Sequence, residues 1–133
     1  LLSMSNMLDI KKITPKNITD KELFYGHKAC AGCGGSLAVR LALKVLGERT
    51  YAALPAGCMS AVGFIYPQMA FKNNAIITPF PGVASMAAGI EAGAKALGIE
   101  DYKTVAFAGD GGTGFEKAIG QCNLSVGRRD RKA

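Results

Sequence analysis

Several features that would place this chain in a common class are missing from its sequence. It has no tryptophan and only one histidine among 133 residues. It has no apolar run of roughly 18 residues, so the sequence predicts no transmembrane span. The first residues show no basic region followed by an apolar run, so we expect no secretion signal and a cytoplasmic location. With 49% apolar and 20% charged residues, the chain is typical of one globular domain.

The net charge of +6 lacks the pattern of a nucleic-acid-binding surface. Residues 128–133 supply +3 of it through Arg128, Arg129, Arg131 and Lys132 against Asp130. Further lysines lie in residues 1–24, and no basic patch interleaved with aromatic residues is visible. We therefore interpret the charge as solvated termini, the alternative being attraction to an acidic electron carrier.

The order of segments predicts an α/β fold with a mostly parallel sheet flanked by helices. Residues 1–24 form a polar, lysine-rich leader with one short helix near 20–23, expected to be loosely ordered or to lie on a partner. Residues 25–133 form the domain. Its predicted helices are 36–46, 83–97 and 115–124, and its predicted strands are 50–54, 75–78 and 104–108. Gly47 is expected to end the first of these helices.

The cysteines indicate thiol or metal chemistry. Cys30 and Cys33 form a Cys-x-x-Cys within a glycine-rich segment, and Cys58 follows in a second glycine-bearing turn. Soft thiolates select iron–sulfur clusters or zinc, and both need four ligands, for which only Cys122 or His27 remain. A redox dithiol, structural zinc and buried cysteines without a role stay open as alternatives to a [4Fe–4S] cluster.

The glycine-rich segment after the last predicted strand matches a nucleotide-binding pattern only in part. Gly109, Gly111 and Gly114 have the spacing of the dinucleotide fingerprint, and Asp130 follows at a suitable distance. Asp110, however, stands where the backbone approaches a pyrophosphate, and its carboxylate would repel that ligand. The pattern therefore does not favour nicotinamide binding.

Asp110 suits a hard cation instead. A magnesium ion held by that carboxylate could bridge a diphosphate, whose oxygens the Gly111 and Gly112 amides and the Thr113 hydroxyl would bind. Thiamine-diphosphate enzymes hold their cofactor in this way. A single Gly-Asp-Gly is weak support for such a cofactor site. Its combination with three spaced cysteines is stronger support.

Together these segments resemble one family, the thiamine-diphosphate-binding beta subunit of pyruvate:ferredoxin oxidoreductase and related 2-oxoacid:ferredoxin oxidoreductases. The resemblance covers residues 25–113, about two thirds of the chain. It rests on residues 26–34, 55–58, 66–67, 70–72, 89–93 and 107–113.

The resemblance implies a thiamine-diphosphate-binding fold and a set of binding residues. Cys30, Cys33 and Cys58 match the ligands of a [4Fe–4S] cluster, with Cys58 also close to the thiamine diphosphate. Asp110 matches the magnesium ligand, and Gly109, Gly111, Gly112 and Thr113 belong to the diphosphate loop. No catalytic side chain is assigned.

The activity implied is oxidative decarboxylation of a 2-oxoacid, with pyruvate expected, and coenzyme A to acyl-coenzyme A and carbon dioxide, with electrons passed to ferredoxin. The implied partners are alpha, gamma and delta-type subunits. Neither nucleic acid nor a membrane is expected.

The sequence departs from the family pattern after Thr113. The second metal-binding residue, an Asn, and the fourth cluster cysteine are absent. We therefore expect a beta subunit truncated or frameshifted after about Gly114, with a fold incomplete at the C-terminus and no turnover by this chain alone. The alternative is a small zinc-binding or scaffold protein that uses the same cysteines.

Overall fold

A computed structural model describes Thr14, Lys16 and residues 18–113 of the chain. Its helices are α1 (Gly34–Leu46), α2 (Cys58–Gly63) and α3 (Val83–Ala96), the last preceded by a 3-10 turn (Phe80–Gly82). Its strands are β1 (Thr50–Pro55), β2 (Asn74–Thr78) and β3 (Lys103–Ala106), which form one parallel sheet in the order β2–β1–β3. The predicted α/β class with a parallel sheet between helices is confirmed.

The central strand β1 is buried on both faces of the sheet. Because successive side chains of a strand point to opposite faces, Ala52 and Leu54 join one core cluster and Ala53 joins another. The first cluster includes Val39 and Leu43 of α1, and the second includes Val83 and Ala87 of α3. The sheet therefore separates α1 from α3. None of the described helices has the length and apolarity needed to cross a membrane.

Two expectations about secondary structure were wrong. No helix was predicted between β1 and β2, yet Cys58–Gly63 is helical. Residues 20–23, expected to be helical, form bends and irregular backbone. The predicted helix 115–124 lies outside the described residues.

The end of the polar leader is part of the folded core. Leu23 and Phe24 are 6% and 1% exposed, and Phe24 forms an isolated antiparallel bridge with Phe71. The Thr19 amide donates to the Lys44 carbonyl oxygen of α1 at 3.2 Å. Apolar burial therefore begins before residue 25.

Candidate functional site

The three parallel strands bring separate loops to one edge of the sheet. Residues 56–57 follow β1, Pro79 and Phe80 follow β2, and residues 107–109 follow β3. Because parallel strands all end at the same edge, these loops become neighbours although up to about fifty residues separate them in sequence. Ligands of open α/β sheets commonly bind at this carboxyl edge.

The first of these loops presents Cys58 at the start of α2. The Gly57 amide donates to the Pro55 carbonyl oxygen at 2.7 Å and to the Ser60 hydroxyl at 3.1 Å. That hydroxyl donates to the Gly57 carbonyl oxygen at 2.8 Å, and Ser60 is buried. Ser60 thus fixes the turn, while the Cys58 residue itself is exposed.

The loop after β3 is the predicted diphosphate loop. Residues 110–113 are helical, and the Thr113 amide and hydroxyl both donate to the Gly109 carbonyl oxygen, at 3.0 and 2.8 Å. The first amides of a helix have no partner within it, so those of Asp110, Gly111 and Gly112 are suited to an anion. The Thr113 hydroxyl, in contrast, already donates its proton to Gly109.

The diphosphate loop packs tightly against the end of β1. A Cβ atom at Gly112 would lie 2.9 Å from Pro55 Cγ and 3.2 Å from Pro55 Cβ. Only glycine fits there without a shift, whereas a Cβ atom at Gly109 would meet none of the described residues beyond its chain neighbours within 4 Å. Asp110 is exposed at the beginning of the helix. These features fit a bound diphosphate with a magnesium ion on the carboxylate.

Cys30 and Cys33 share one tight turn. The Cys33 amide donates to the Cys30 carbonyl oxygen at 3.1 Å, and Gly32 has a φ of +72°. A type II turn requires such a positive φ at its third residue, which explains the glycine. Cys33 occupies the N-cap position directly before α1, and the Ser36 hydroxyl donates to the Cys33 carbonyl oxygen at 2.8 Å.

The start of α1 favours the thiolate form of Cys33. Hydrogen bonding from the Ser36 backbone holds the pKa of the Cys33 thiol below its usual value. Partial desolvation opposes this effect, while the Gly35 backbone and the Ser36 side chain add to it. A thiolate is the form that ligates metals, so Cys33 is suited to that role.

His27 lies beside this turn. Its ring stacks on Phe24, with centroids 5.0 Å apart and planes inclined by 16°. Its Nδ1 accepts the Ala29 amide at 3.2 Å, so any ring proton of the neutral form is on Nε2. A cavity of about 380 Å³ lies over the turn, and its lining includes His27, Cys30, Cys33, Ser36, Leu37 and Arg40.

The structure brings the predicted site residues together in two groups. Cys30 and Cys33 form one, and the Cys58 turn with the 109–113 loop forms the other. α1 meets α2 near the cysteines, since a Cβ atom at Gly35 would lie 2.9 Å from Met59 Cε and 3.7 Å from Cys33 Sγ. Among the described residues, no three His, Cys, Asp or Glu side chains could hold one metal ion. Cys122, Gly114 and Asp130 lie outside them.

Two residues at the site were not predicted. Ser60 stands three residues after Gly57, a spacing at which a hydroxyl can close the first turn of a helix, and this signal was available in the sequence. Phe80 lies between Pro79 and Pro81 directly after a strand. Its contacts depend on the arrangement of the strands, and no local pattern indicates them.

The fold and its loops define a class of protein, an α/β domain with candidate anion-binding and cysteine segments beside a parallel sheet. No protein-family model matches the chain. Pyruvate synthase subunit PorB of Methanothermobacter thermautotrophicus is 48% identical to it over 88 residues, 66% of this chain and 31% of that subunit. Ketoisovalerate oxidoreductase subunit VorB of Pyrococcus horikoshii is 37% identical over 114 residues, 80% of this chain and 37% of that subunit.

The chain belongs to this family of 2-oxoacid:ferredoxin oxidoreductase subunits, and the resemblance expected from its motifs is confirmed. A third relative, PorB of Methanocaldococcus jannaschii, is 38% identical over 105 residues, which is 71% of this chain and 35% of that subunit. The matched segment spans about a third of each of these relatives.

Proposed function

We propose that this chain contributes the magnesium–diphosphate site and three cluster cysteines to an enzyme that oxidatively decarboxylates a 2-oxoacid, with pyruvate the expected substrate. Coenzyme A would accept the acyl group, ferredoxin would accept the electrons, and alpha, gamma and delta-type subunits would complete the enzyme. The supporting observation is the packing of Gly112 on Pro55, which joins the predicted diphosphate loop to the turn before Cys58.

Asp110, the first amides of its helix and Gly112 have distinct roles in this proposal. The Asp110 carboxylate binds magnesium, and the amides at the start of its helix donate to diphosphate oxygens. Gly112 allows the loop to lie against β1. When bound, thiamine diphosphate supplies an electron sink for decarboxylation.

The cysteines serve electron transfer in the same proposal. Cys30, Cys33 and Cys58 would be cluster ligands, with the Cys33 thiolate favoured by the start of α1. A cluster is larger than a single ion, so its ligands lie farther apart than those of zinc. Placing cluster and cofactor in one subunit keeps the electron-transfer distance short.

The proposal is tested on the full chain under anaerobic conditions. Cluster assembly is measured as iron and acid-labile sulfide after incubation with both, with zinc measured in parallel. Binding of magnesium with thiamine diphosphate is measured by titration calorimetry. The test variant is Asp110→Asn and its control is Glu100→Gln, an exposed carboxylate before the amino end of β3.

We expect iron with sulfide, and cofactor binding that Asp110→Asn weakens at least tenfold, since a charged metal ligand contributes more than about 1.4 kcal/mol. Glu100→Gln should bind like the unchanged chain. Stoichiometric zinc without sulfide would favour the zinc-binding alternative. Equal binding by both variants would remove Asp110 from the proposed site.

A further inference from the structure

The ring of Phe80 lies between the two loops of the proposed cofactor site. Phe80 follows β2, which is an outer strand of the sheet. Its ring nevertheless reaches the loops that follow the other two strands. A Cβ atom at Gly57 would lie 3.5 Å from Phe80 Cε1, and one at Gly111 would lie 3.7 Å from the same atom. One edge of the ring therefore lies beside both the turn before Cys58 and the loop after Asp110, where a side chain on either glycine would contact it.

Both loops present bare backbone to this ring. Neither Gly57 nor Gly111 has a positive φ, so backbone conformation does not explain the two glycines. The absence of side chains leaves the backbone of each loop close to the aromatic edge. Among the described residues outside the helical turn that contains Gly111, the Phe80 ring is the one group within 4 Å of its Cβ position.

The Phe80 side chain is not part of the hydrophobic core. Phe80 is 42% exposed and belongs to neither of the two core clusters. Since Pro79 directly precedes the 3-10 turn and Pro81 lies within it, the backbone at Phe80 is restricted. An exposed aromatic ring on a rigid turn loses little freedom on binding a ligand.

We propose that the exposed part of the Phe80 ring packs against the ring portion of bound thiamine diphosphate and orients it between the Cys58 turn and the Asp110 loop. This inference rests on the proposed function. Asp110 and its neighbouring amides hold only the charged end of the cofactor, and the apolar end needs a surface within reach. The Phe80 ring lies beside both loops, and aromatic rings pack on one another in offset or edge-to-face arrangements.

The test separates the two ends of the cofactor. Titration calorimetry on the full chain uses two probes with magnesium present, thiamine diphosphate and inorganic diphosphate, which has no rings. The variants are Phe80→Ala, Phe80→Leu and Phe80→Tyr, the last restoring an aromatic ring. Leu97→Ala is the matched control, because Leu97 is a 77% exposed apolar residue beyond the end of α3.

We expect Phe80→Ala and Phe80→Leu to weaken thiamine diphosphate binding about fivefold, the effect of one lost aromatic contact, without changing inorganic diphosphate binding. Phe80→Tyr and Leu97→Ala should bind both probes normally. Equal weakening of both probes, or no weakening of either, would overturn the role of Phe80. If the unchanged chain binds neither probe, the proposed function fails and this inference fails with it.

Discussion

The cysteine turn and the diphosphate loop are built in different ways. Hydrogen bonds between residues two or three apart hold the turn around Cys30 and Cys33, including those made by His27 and Ser36. The 109–113 loop also has local hydrogen bonds, from Thr113 to the Gly109 carbonyl oxygen, but its position on the sheet depends on the packing of Gly112 on Pro55, which is far away in sequence. One region is defined by local backbone geometry and the other by the sheet.

This difference determines how each region responds to damage. A local turn depends on its own φ values, so a strained residue within it changes its shape while the core stays packed. A loop that packs against a strand depends on the shape of that strand's surface. A steric clash between the loop and the strand therefore also disturbs the sheet. Substitutions of matched size at glycines of the two regions separate these cases.

The largest effect is expected for Gly112→Ala. The new Cβ atom would lie 2.9 Å from Pro55 Cγ, and a proline ring cannot swing away as a flexible side chain would. Overpacking of this kind costs about 1–3 kcal/mol. Urea unfolding should show a lower midpoint, and binding of magnesium with thiamine diphosphate should weaken.

Gly109→Ala is the control within the same loop, because a Cβ atom there meets no described residue within 4 Å apart from its chain neighbours. It should change the free energy of unfolding by less than about 0.5 kcal/mol. If the Gly112→Ala and Gly109→Ala variants unfold at the same urea concentration, the stability of the loop does not depend on its packing against β1.

A smaller effect, confined to the cysteine turn, is expected for Gly32→Ala. Its φ of +72° lies in the left-handed region, where a side chain costs about 1–2 kcal/mol. The chain should lose iron and sulfide after reconstitution, while its binding of thiamine diphosphate with magnesium stays unchanged. Iron and sulfide are measured per chain, and cofactor binding by calorimetry.

Gly34→Ala is the matched control for the turn. Gly34 lies in the first turn of α1 without a positive φ, and in the described part of the chain no residue outside that turn lies within 4 Å of its Cβ position. Alanine favours a helix over glycine by up to about 1 kcal/mol, so this variant should be as stable as the unchanged chain or more so. Equal cluster loss in both variants would show that the positive φ at Gly32 is not the cause.

The local features were predictable from sequence. The apolar pattern of α1 and Gly47 after it predicted a helix that the structure confirms, with Gly47 at a φ of +85°. The three strands were located to within two residues at each end. α2 was missed because it has only six residues, bears no charged residue and lies in a segment punctuated by prolines.

The site could be predicted only in part, for the same physical reason. The spacing of Cys30 and Cys33 sets their turn directly, so the sequence indicates it. The closeness of Phe80 to Gly57 and Gly111 depends on two parallel crossovers and on the order β2–β1–β3, which no short motif encodes. The predictions for residues 114–133 lie outside the described residues.

The smallest effect concerns the ionic anchor on the cysteine side of the molecule. Glu22 accepts hydrogen bonds from Arg40 and Lys44 of α1, at 2.8 and 2.7 Å, which lower its pKa from the usual 4.5 to about 2. The folded chain keeps this carboxylate ionised down to about pH 2, whereas the unfolded chain protonates it near 4.5. The stability that it contributes is therefore complete above about pH 4.5 and is lost as the pH falls towards 2.

Glu22→Gln should consequently be less stable than the unchanged chain at pH 7, and the difference should shrink between pH 4.5 and pH 2. Because the groups are partly solvated, the difference should be small and should fall further in 1 M salt. Urea unfolding at pH 7, 4 and 3 measures it. The difference in free energy of unfolding between the two proteins could instead stay constant over this pH range. In that case packing of the Glu22 side chain, and not its charge, would hold the segment before Leu23 against α1. The cysteine turn would then depend on apolar contacts outside itself, as the diphosphate loop does, and the contrast between the two regions would be lost.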